Sequence, residues 1–400
     1  MFRIAIRKQL LPRGITTRTI ARRGFASWTD EFVTATESIR SDIQFNESAD
    51  HLRQLCKTNL LKGTDIRDAP ERFFEAHRIL ARHATNHGPG FWVRFTVHYN
   101  LFAGTILAVG TDEQVARLAD YQKDGLLGCF ALTEKLAGVQ SGLVVQTTAK
   151  WNEEKQCFIL HTPNEGARKN WISQGFTADK AVVIADLCVG KDFVGPHAFV
   201  MDFRKDGELV PGISVDDMGP KTVGNDLDNA WIHFDHVELD KSAMLSKYAT
   251  ITDEDKYELL YKGVRPFDMI GQRLYSGRIA VAQAALEYRR QLFKQTKEYS
   301  DNKRIFCFAS GTRVLTDIPQ LTAIYHENEN KMRNIDAFVK SCESQLSDSI
   351  KSGTPPSTEL VEAIATCKVR CWWNPWATKN CLESDPISHL SIVICRRSKL

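Results

Sequence analysis

The sequence predicts an α+β multidomain protein: a helical N-terminal domain, a middle β-barrel or sandwich, and a C-terminal helical bundle. Three observations carry that prediction. Apolar residues recur at helical spacing from Trp28 to about Leu127. Short β-rich runs separated by turn residues then take over, from Gly128 to about residue 248. The helical period returns from about Asp253 to Arg370. Four hundred residues leave room for two or three cores of this kind.

In the first domain, residues 28–127, Ala69-Pro70-Glu71-Arg72 marks a helix start, because proline at the first position lacks only an N–H that would be unpaired anyway. Phe73, Phe74, His77, Ile79 and Leu80 follow on a helical period, and His98 to Phe102 continues it. Thr111 or Asp112 can cap the helix that carries Val115, Leu118 and Tyr121. In the second domain, residues 128–248, Phe158–Leu160, Ala181–Ile184 and Ala198–Met201 read as strands. Asn164-Glu165-Gly166 and Lys205-Asp206-Gly207 read as turns. In the third, residues 253–370, Gln272 to Tyr299 is the longest amphipathic stretch, and Asp317-Ile318-Pro319-Gln320 opens a second helix.

Composition excludes several classes. Charged residues make up 25% and hydrophobic ones 43%, as in ordinary globular enzymes, and a net charge of +3 is too small to argue for nucleic acid. No apolar run approaches the roughly 18 to 20 residues of a spanning helix. The ten cysteines form no CxxC pair, so a cysteine zinc site is not expected and reduced, mostly buried thiols are.

The two ends carry conflicting addresses. Residues 1–27 hold Arg3, Arg7, Lys8, Arg13, Arg18, Arg22 and Arg23 with no acid, and Arg23-Gly24-Phe25 looks like a matrix-protease site. That is a mitochondrial transit pattern, set apart from the fold as a targeting leader. The chain ends Ser398-Lys399-Leu400, the tripeptide read by the peroxisomal import receptor. The peroxisome is the expected location, with the mitochondrial matrix as the alternative.

Four motifs carry the chemistry. Gly128 to Glu134 is followed by Lys135-Leu136-Ala137-Gly138-Val139-Gln140-Ser141-Gly142 and then Gln146 to Trp151. Lys169-Asn170-Trp171-Ile172-Ser173-Gln174-Gly175 is the second. Asp217 to Asn229, with Phe234-Asp235-His236-Val237, is the third; its Asp-rich turns lack the twelve-residue pattern of a calcium loop, and no metal site is expected. Tyr299 to Phe306 is the fourth.

Together these segments resemble the acyl-CoA oxidases and acyl-CoA dehydrogenases over about residues 60 to 370, and the third is the most oxidase-like. The resemblance implies the acyl-CoA dehydrogenase fold with an incomplete C-terminal bundle, and FAD as cofactor. It assigns the Thr133 hydroxyl to the pyrimidine edge of the flavin, Trp171 to the side of the ring, and the Ser173 hydroxyl to the hydride-accepting nitrogen. Donors placed there stabilise the charge that arrives with the hydride. Gly175 also falls among the cofactor residues, and Gly138 and Ser141 among those that bind substrate. Lys303 stands where the family has an arginine for the FAD pyrophosphate, often that of a neighbouring subunit. Arg304 is next to it and Phe306 three positions on, so charge is kept but the bidentate fork is lost unless Arg304 supplies it. The third motif is expected to be a structural corner whose polar groups are architectural.

The implied reaction is α,β-dehydrogenation of a fatty acyl-CoA to the trans-2-enoyl-CoA, with O2 reduced to H2O2, in a homodimer. The family's catalytic Glu has no counterpart before Leu400, and residues 371–400, from Cys371-Trp372-Trp373 onward, form an atypical tail. In some dehydrogenases the base instead precedes the long amphipathic helix; that position here is Gln272, and an amide cannot act as a base. No catalytic base is therefore named, and impaired activity is part of the expectation. A mitochondrial acyl-CoA dehydrogenase and a non-catalytic flavin or acyl-CoA binding subunit are the alternatives.

Overall fold

A computed structural model describes residues 17–373 apart from 41, 139–142, 265, 309 and 310. The helical part comprises α1 (Thr17–Thr36), α2 (Phe45–Lys57), α3 (Asp65–Asp68), α4 (Pro70–His87), α5 (Gly90–Thr96), a π-helical segment (Val97–Ala103), α6 (Gly104–Val109) and α7 (Asp112–Asp124). Pro70 opens α4 at its first turn as expected. Thr111 caps α7 in a reciprocal capping box with Gln114, and Gly125 closes it at a φ of +69°. α1 runs through the boundary placed at residue 27: Phe25 stacks on Trp28, which stacks on Phe32 in the helical core.

The run from His98 to Phe102 does not continue as an α-helix. It widens into the π segment, whose polar residues His98 and Asn100 are buried. Asn100 Oδ1 accepts from Ser276 Oγ at 2.7 Å. His98 Nδ1 accepts from the Gly128 N–H at 3.1 Å, so the wider turn presents an imidazole to the start of the next domain.

The middle is a curled six-stranded sheet facing a three-stranded one. Its strands are β1 (Gly128–Ala131), β2 (Thr148–Asn152), β3 (Cys157–His161), β4 (Lys169–Ser173), β5 (Lys180–Val189), β6 (Asp192–Asp202), the short hairpin β7 (Arg204–Lys205) and β8 (Glu208–Leu209), β9 (Ile213–Asp217), β10 (Asn229–Phe234) and β11 (Val237–Asp240). β5 is the spine. It pairs antiparallel with β6 on one side, and parallel with β1 and then β2 on the other. Its residues alternate between two cores: Ala181, Val183, Ala185 and Leu187 face the β4–β10–β9 sheet, whereas Val182 and Ile184 pack with Phe102 and Ile106 of the helical part. Both faces are buried, which explains a near-continuous apolar run.

The helical period does not resume at Asp253. β12 (Ala249–Ile251) and β13 (Tyr257–Leu259) form a further hairpin, and α8 spans Pro266–Asn302. Gln272 therefore lies within the long helix rather than on one before it. A hairpin unseen in the sequence, β14 (Arg304–Cys307) with β15 (Gly311–Val314), separates α8 from α9 (Pro319–Ser352), and α10 (Thr358–Trp373) closes the described chain. α8 packs on α4, and α10 completes the helical core through Leu360, Ile364 and Cys367. Among the described residues Cys56, Cys129, Cys157, Cys188 and Cys342 are free and buried, and Cys367 is buried in the helical core. Burial raises Cys56 to about 11 and Cys129 to about 12, which keeps them protonated and unreactive. Among the described residues no helix is long and apolar enough to cross a membrane.

Burial also lowers His77 and His98 from the ordinary 6.5 to about 4. The unfolded chain thus binds protons below pH 6.5 that the folded chain refuses. Stability contributed by these neutral rings is present above pH 6.5 and lost as pH falls toward 4. Two such groups predict a loss of up to about 2.7 kcal/mol per pH unit across that window. Urea melts at pH 7, 6 and 5 will measure it, and His77→Gln is expected to flatten the slope by about half.

Candidate active site

The site is built outward from the first residue of β1. Gly128 is gripped on both backbone groups: its N–H by His98, and its carbonyl by the Gln174 amide at 2.9 Å. A side chain there is impossible, since a Cβ would sit 2.1 Å from the Phe102 ring. Gln174 is fully buried with a φ of +69°, and its other amide atom accepts from Arg94 at 3.4 Å. The strand that opens the flavin motif is therefore registered against the helical domain by side chains of the π segment and of the second motif.

β1 then delivers Thr133 and Glu134. Glu134 is fully buried and bridges antiparallel to Lys169, also fully buried. Its carboxylate accepts from the Gln146 N–H at 2.7 Å, from the Thr147 N–H at 2.9 Å and from Lys169 Nζ at 2.9 Å. Lys169 also donates to the carbonyls of Leu132 at 3.2 Å and Ile184 at 2.7 Å. Every charge is paired and hydrogen-bonded, the condition under which a buried ion pair persists. Burial nonetheless lowers the Lys169 pKa, with Glu134 opposing it. This pair locks the end of β1 onto β4, and half-buried Thr133 sits between two buried neighbours with its carbonyl held by the Asn170 N–H at 2.8 Å.

β4 carries the irregularity that shapes the site. Its pairing with β10 slips between Ala230 and Ile232: Ile172 faces Ala230, yet Lys169 faces Ile232. Asn170 and Trp171 together oppose Trp231, which is a β-bulge, a device that re-aims a side chain. Trp171 has a φ of +57° and remains 56% exposed. A bulky residue in that region is strained by about 1–3 kcal/mol. The Asn170 side chain receives the Trp231 indole N–H at 2.5 Å, so the bulge is fixed from both strands. Two residues on, the Ser173 hydroxyl accepts from Asn229 Nδ2 at 3.1 Å. Trp171 and Ser173 thus lie two residues apart on β4, and Thr133 follows β1 with its backbone tied to Asn170 of the same strand.

The remaining expected residues are placed as follows. Gly175 closes the turn after Ser173; a Cβ there would lie 2.4 Å from Ala230, so close packing accounts for the glycine. Gly138, with a φ of +51°, has open space around it, and Ser141 lies outside the described residues. Lys303, Arg304 and Phe306 are exposed at the end of α8 and on β14, an element separate from β1 and β4. Gln272 lies in α8, and its side chain falls outside what the structure describes. The third motif is architectural where it is buried. Asp228 pairs with Arg94 at 3.0 Å and accepts from the Phe176 N–H at 2.7 Å, while the Lys221 ammonium donates to the Leu227 carbonyl at 2.5 Å. Sequence reasoning missed His98, Gln174 and Arg94 as positioning residues. Arg94 had a signal, being the only charge in the apolar run Gly90–Phe102.

This frame is the fold shared by acyl-CoA oxidases and acyl-CoA dehydrogenases. The chain superposes on butyryl-CoA dehydrogenase of Megasphaera elsdenii with a TM-score of 0.66 and 18% identity, over 93% of this chain and 89% of that one. It superposes on acyl-CoA oxidase-2 of Caenorhabditis elegans, solved with FAD, ascaroside-CoA and ATP, with a TM-score of 0.59 and 19% identity, over 87% of this chain and 56% of that one. In sequence the chain's relatives are acyl-CoA oxidases. Human peroxisomal acyl-coenzyme A oxidase 3 is 31% identical over 198 residues, covering 48% of this chain and 28% of that protein. No family model matches the chain. The first curated relatives are matched over less than half of their own length, from 23% to 46%.

Glu134→Gln leaves Lys169 without a counter-charge in a dry interior. A loss of about 3–5 kcal/mol in denaturant unfolding is expected. The double variant Glu134→Gln/Lys169→Met is expected to recover part of that loss.

Proposed function

We propose that the chain binds FAD along the Thr133–Trp171–Ser173 edge and acts as an acyl-CoA oxidase, converting a fatty acyl-CoA to the trans-2-enoyl-CoA. The observation that carries this is the strained bulge at Trp171, which holds an indole in the open two residues before Ser173 on β4. Such strain collects at functional sites. The residues present fit the cofactor: Thr133 and Ser173 supply hydroxyls and Trp171 a flat wall, on a frame locked by Glu134–Lys169 and by Gln174. When bound, FAD would accept the hydride from the β-carbon, and O2 would reoxidise it to give H2O2.

The protein's own part is orientation and exclusion of water. Ser173, with its hydroxyl already held by Asn229, would stand at the hydride-accepting nitrogen. Trp171 would shield the hydride path. Gly175 keeps the turn after Ser173 tight, and Gly138 and Ser141 would lie along the substrate. Lys303, Arg304 and Phe306 would meet the FAD of a second copy in a homodimer. No side chain is assigned as the base that removes the α-proton. A flavin or acyl-CoA binding subunit without turnover is the second reading, favoured by Lys303 where the resemblance expects a pyrophosphate-binding arginine. The name of the human relative supports a peroxisomal location.

The test is the visible spectrum of the FAD-loaded protein before and after anaerobic palmitoyl-CoA. Bleaching with enoyl-CoA formation supports the enzyme, and peroxide release on admitting air supports the oxidase. A bound flavin that never bleaches supports the binding subunit, and failure to retain flavin overturns the reading. Trp171→Gly removes both the strain and the wall: stability is expected to stay within about 1 kcal/mol, while flavin affinity falls severalfold.

A further inference from the structure

At the end of β10 remote from Ser173 lies a second group of polar side chains, with no part in the flavin reading. β11 pairs antiparallel with β3, with Val237 opposite Leu160, and one step further along the same ladder His236 meets His161. The two imidazoles stack with centroids 4.0 Å apart and planes inclined by 28°. Asp235 Oδ1 lies 2.7 Å from His236 Nδ1 and 3.8 Å from His161 Nδ1. One ligand atom from each of the three residues falls within 4.8 Å of the other two.

Two independent features single the cluster out. His161 Nδ1 is shielded from solvent and makes no hydrogen bond, which leaves its lone pair open to a ligand bond. The turn is also rigidly set. His236 holds a φ of +52°, and the Asp235 N–H donates to the Gly212 carbonyl at 2.8 Å. A Cβ on Gly212 would lie 2.7 Å from the Asp235 carbonyl oxygen, so the neighbouring loop is pressed against this turn.

We propose that His161, Asp235 and His236 bind a divalent transition-metal ion of the zinc class. Two imidazole nitrogens and one carboxylate oxygen are a zinc donor set, whereas one carboxylate is too few oxygens for calcium or magnesium. Tetrahedral coordination with bonds of about 2.1 Å puts ligand atoms about 3.4 Å apart. The observed 2.7 and 3.8 Å bracket that value, and closing the site requires the two imidazoles to turn out of their stack so that both ring planes contain the ion. Water takes the fourth position. The ion would sit about 20 Å along β10 from Asn229, away from the reacting atoms. It ties the end of β3 to the β10–β11 turn, and an ion bound only by the folded state raises stability.

The experiment is calorimetric titration of the untagged full chain with Zn2+, with Co2+ as the spectroscopic probe. One ion per chain at micromolar affinity or tighter is expected, with ligand-field bands lacking thiolate charge transfer and a melting temperature that rises with Zn2+. His236→Asn and Asp235→Asn are each expected to weaken binding at least about tenfold. Asparagine tolerates the left-handed backbone, so His236→Asn keeps the turn and isolates the ligand. No Zn2+ binding by the wild type overturns the proposal. So does equal affinity in both variants, or a Co2+ spectrum dominated by thiolate, which would place the ion on cysteine.

Discussion

The Arg94 guanidinium is the constraint on which the rest depends. Its side chain is 0% exposed, and it reaches into three other segments at once. It donates to Ser48 Oγ at 3.2 Å and the Phe45 carbonyl at 3.1 Å on α2, to Thr177 Oγ1 at 2.9 Å after β4, and to the Asp226 carbonyl at 2.9 Å and Asp228 Oδ1 at 3.0 Å before β10. Burial works against its charge and Asp228 opposes that effect, leaving its pKa below the usual arginine value. A buried pair of this kind adds little net stability against an apolar pair of the same volume, but breaking it strands a charge. Its value is in registry: α5 meets the β-domain at one angle only. Gly90, at the start of α5, is part of the same fit, because a Cβ there would overlap the Asp226 carboxylate at 1.8 Å.

Neighbouring pairs extend this registry to the start of β1. Arg53 of α2 pairs with Asp179, and it donates to the Thr177 carbonyl at 2.6 Å. Asp179 in turn accepts from the Leu127 N–H at 2.8 Å. Together with His98 and Gln174 on Gly128, these contacts set β1 before Thr133 emerges from it. The strained residues Trp171 and Gln174 lie in the short stretch this network encloses. Strain of about 1–3 kcal/mol per residue persists only where the surroundings over-determine the backbone, and here they do.

The charges that the resemblance assigns to the FAD pyrophosphate are on a different element. Lys303 and Arg304 follow α8 at an exposed corner, where Phe306 and Phe308 are 70% and 100% exposed. An apolar pair of that exposure on a two-stranded hairpin suits a surface that is covered in an assembly, in keeping with the proposed homodimer. The buried Glu134–Lys169 pair, by contrast, is complete within one chain.

The order of helical, β and helical parts was legible in the sequence, because apolar periodicity directly reports which face each element buries. So were Pro70 at the start of α4, Thr111 at the cap of α7 and the Asp206-Gly207 turn, since each is decided by local backbone chemistry. Thr133, Trp171 and Ser173 were singled out through motif resemblance. The sequence could not reveal that Trp171 sits on a bulge, because a bulge is a mismatch between two strands far apart in the chain. Nor could it distinguish the π turn at His98–Phe102 from an α-helix, since both bury the same apolar residues and only the Gly128 and Ser276 partners favour the wider one. The β14–β15 hairpin was missed because strands of four residues are too short to carry a clear alternation. Local chemistry and periodicity were enough for the order of the main elements and for several of their ends. Only the tertiary structure decided that Arg94 meets Asp228, Glu134 meets Lys169 and His161 meets His236. Such pairings span up to 134 residues of chain and leave no local periodicity to read.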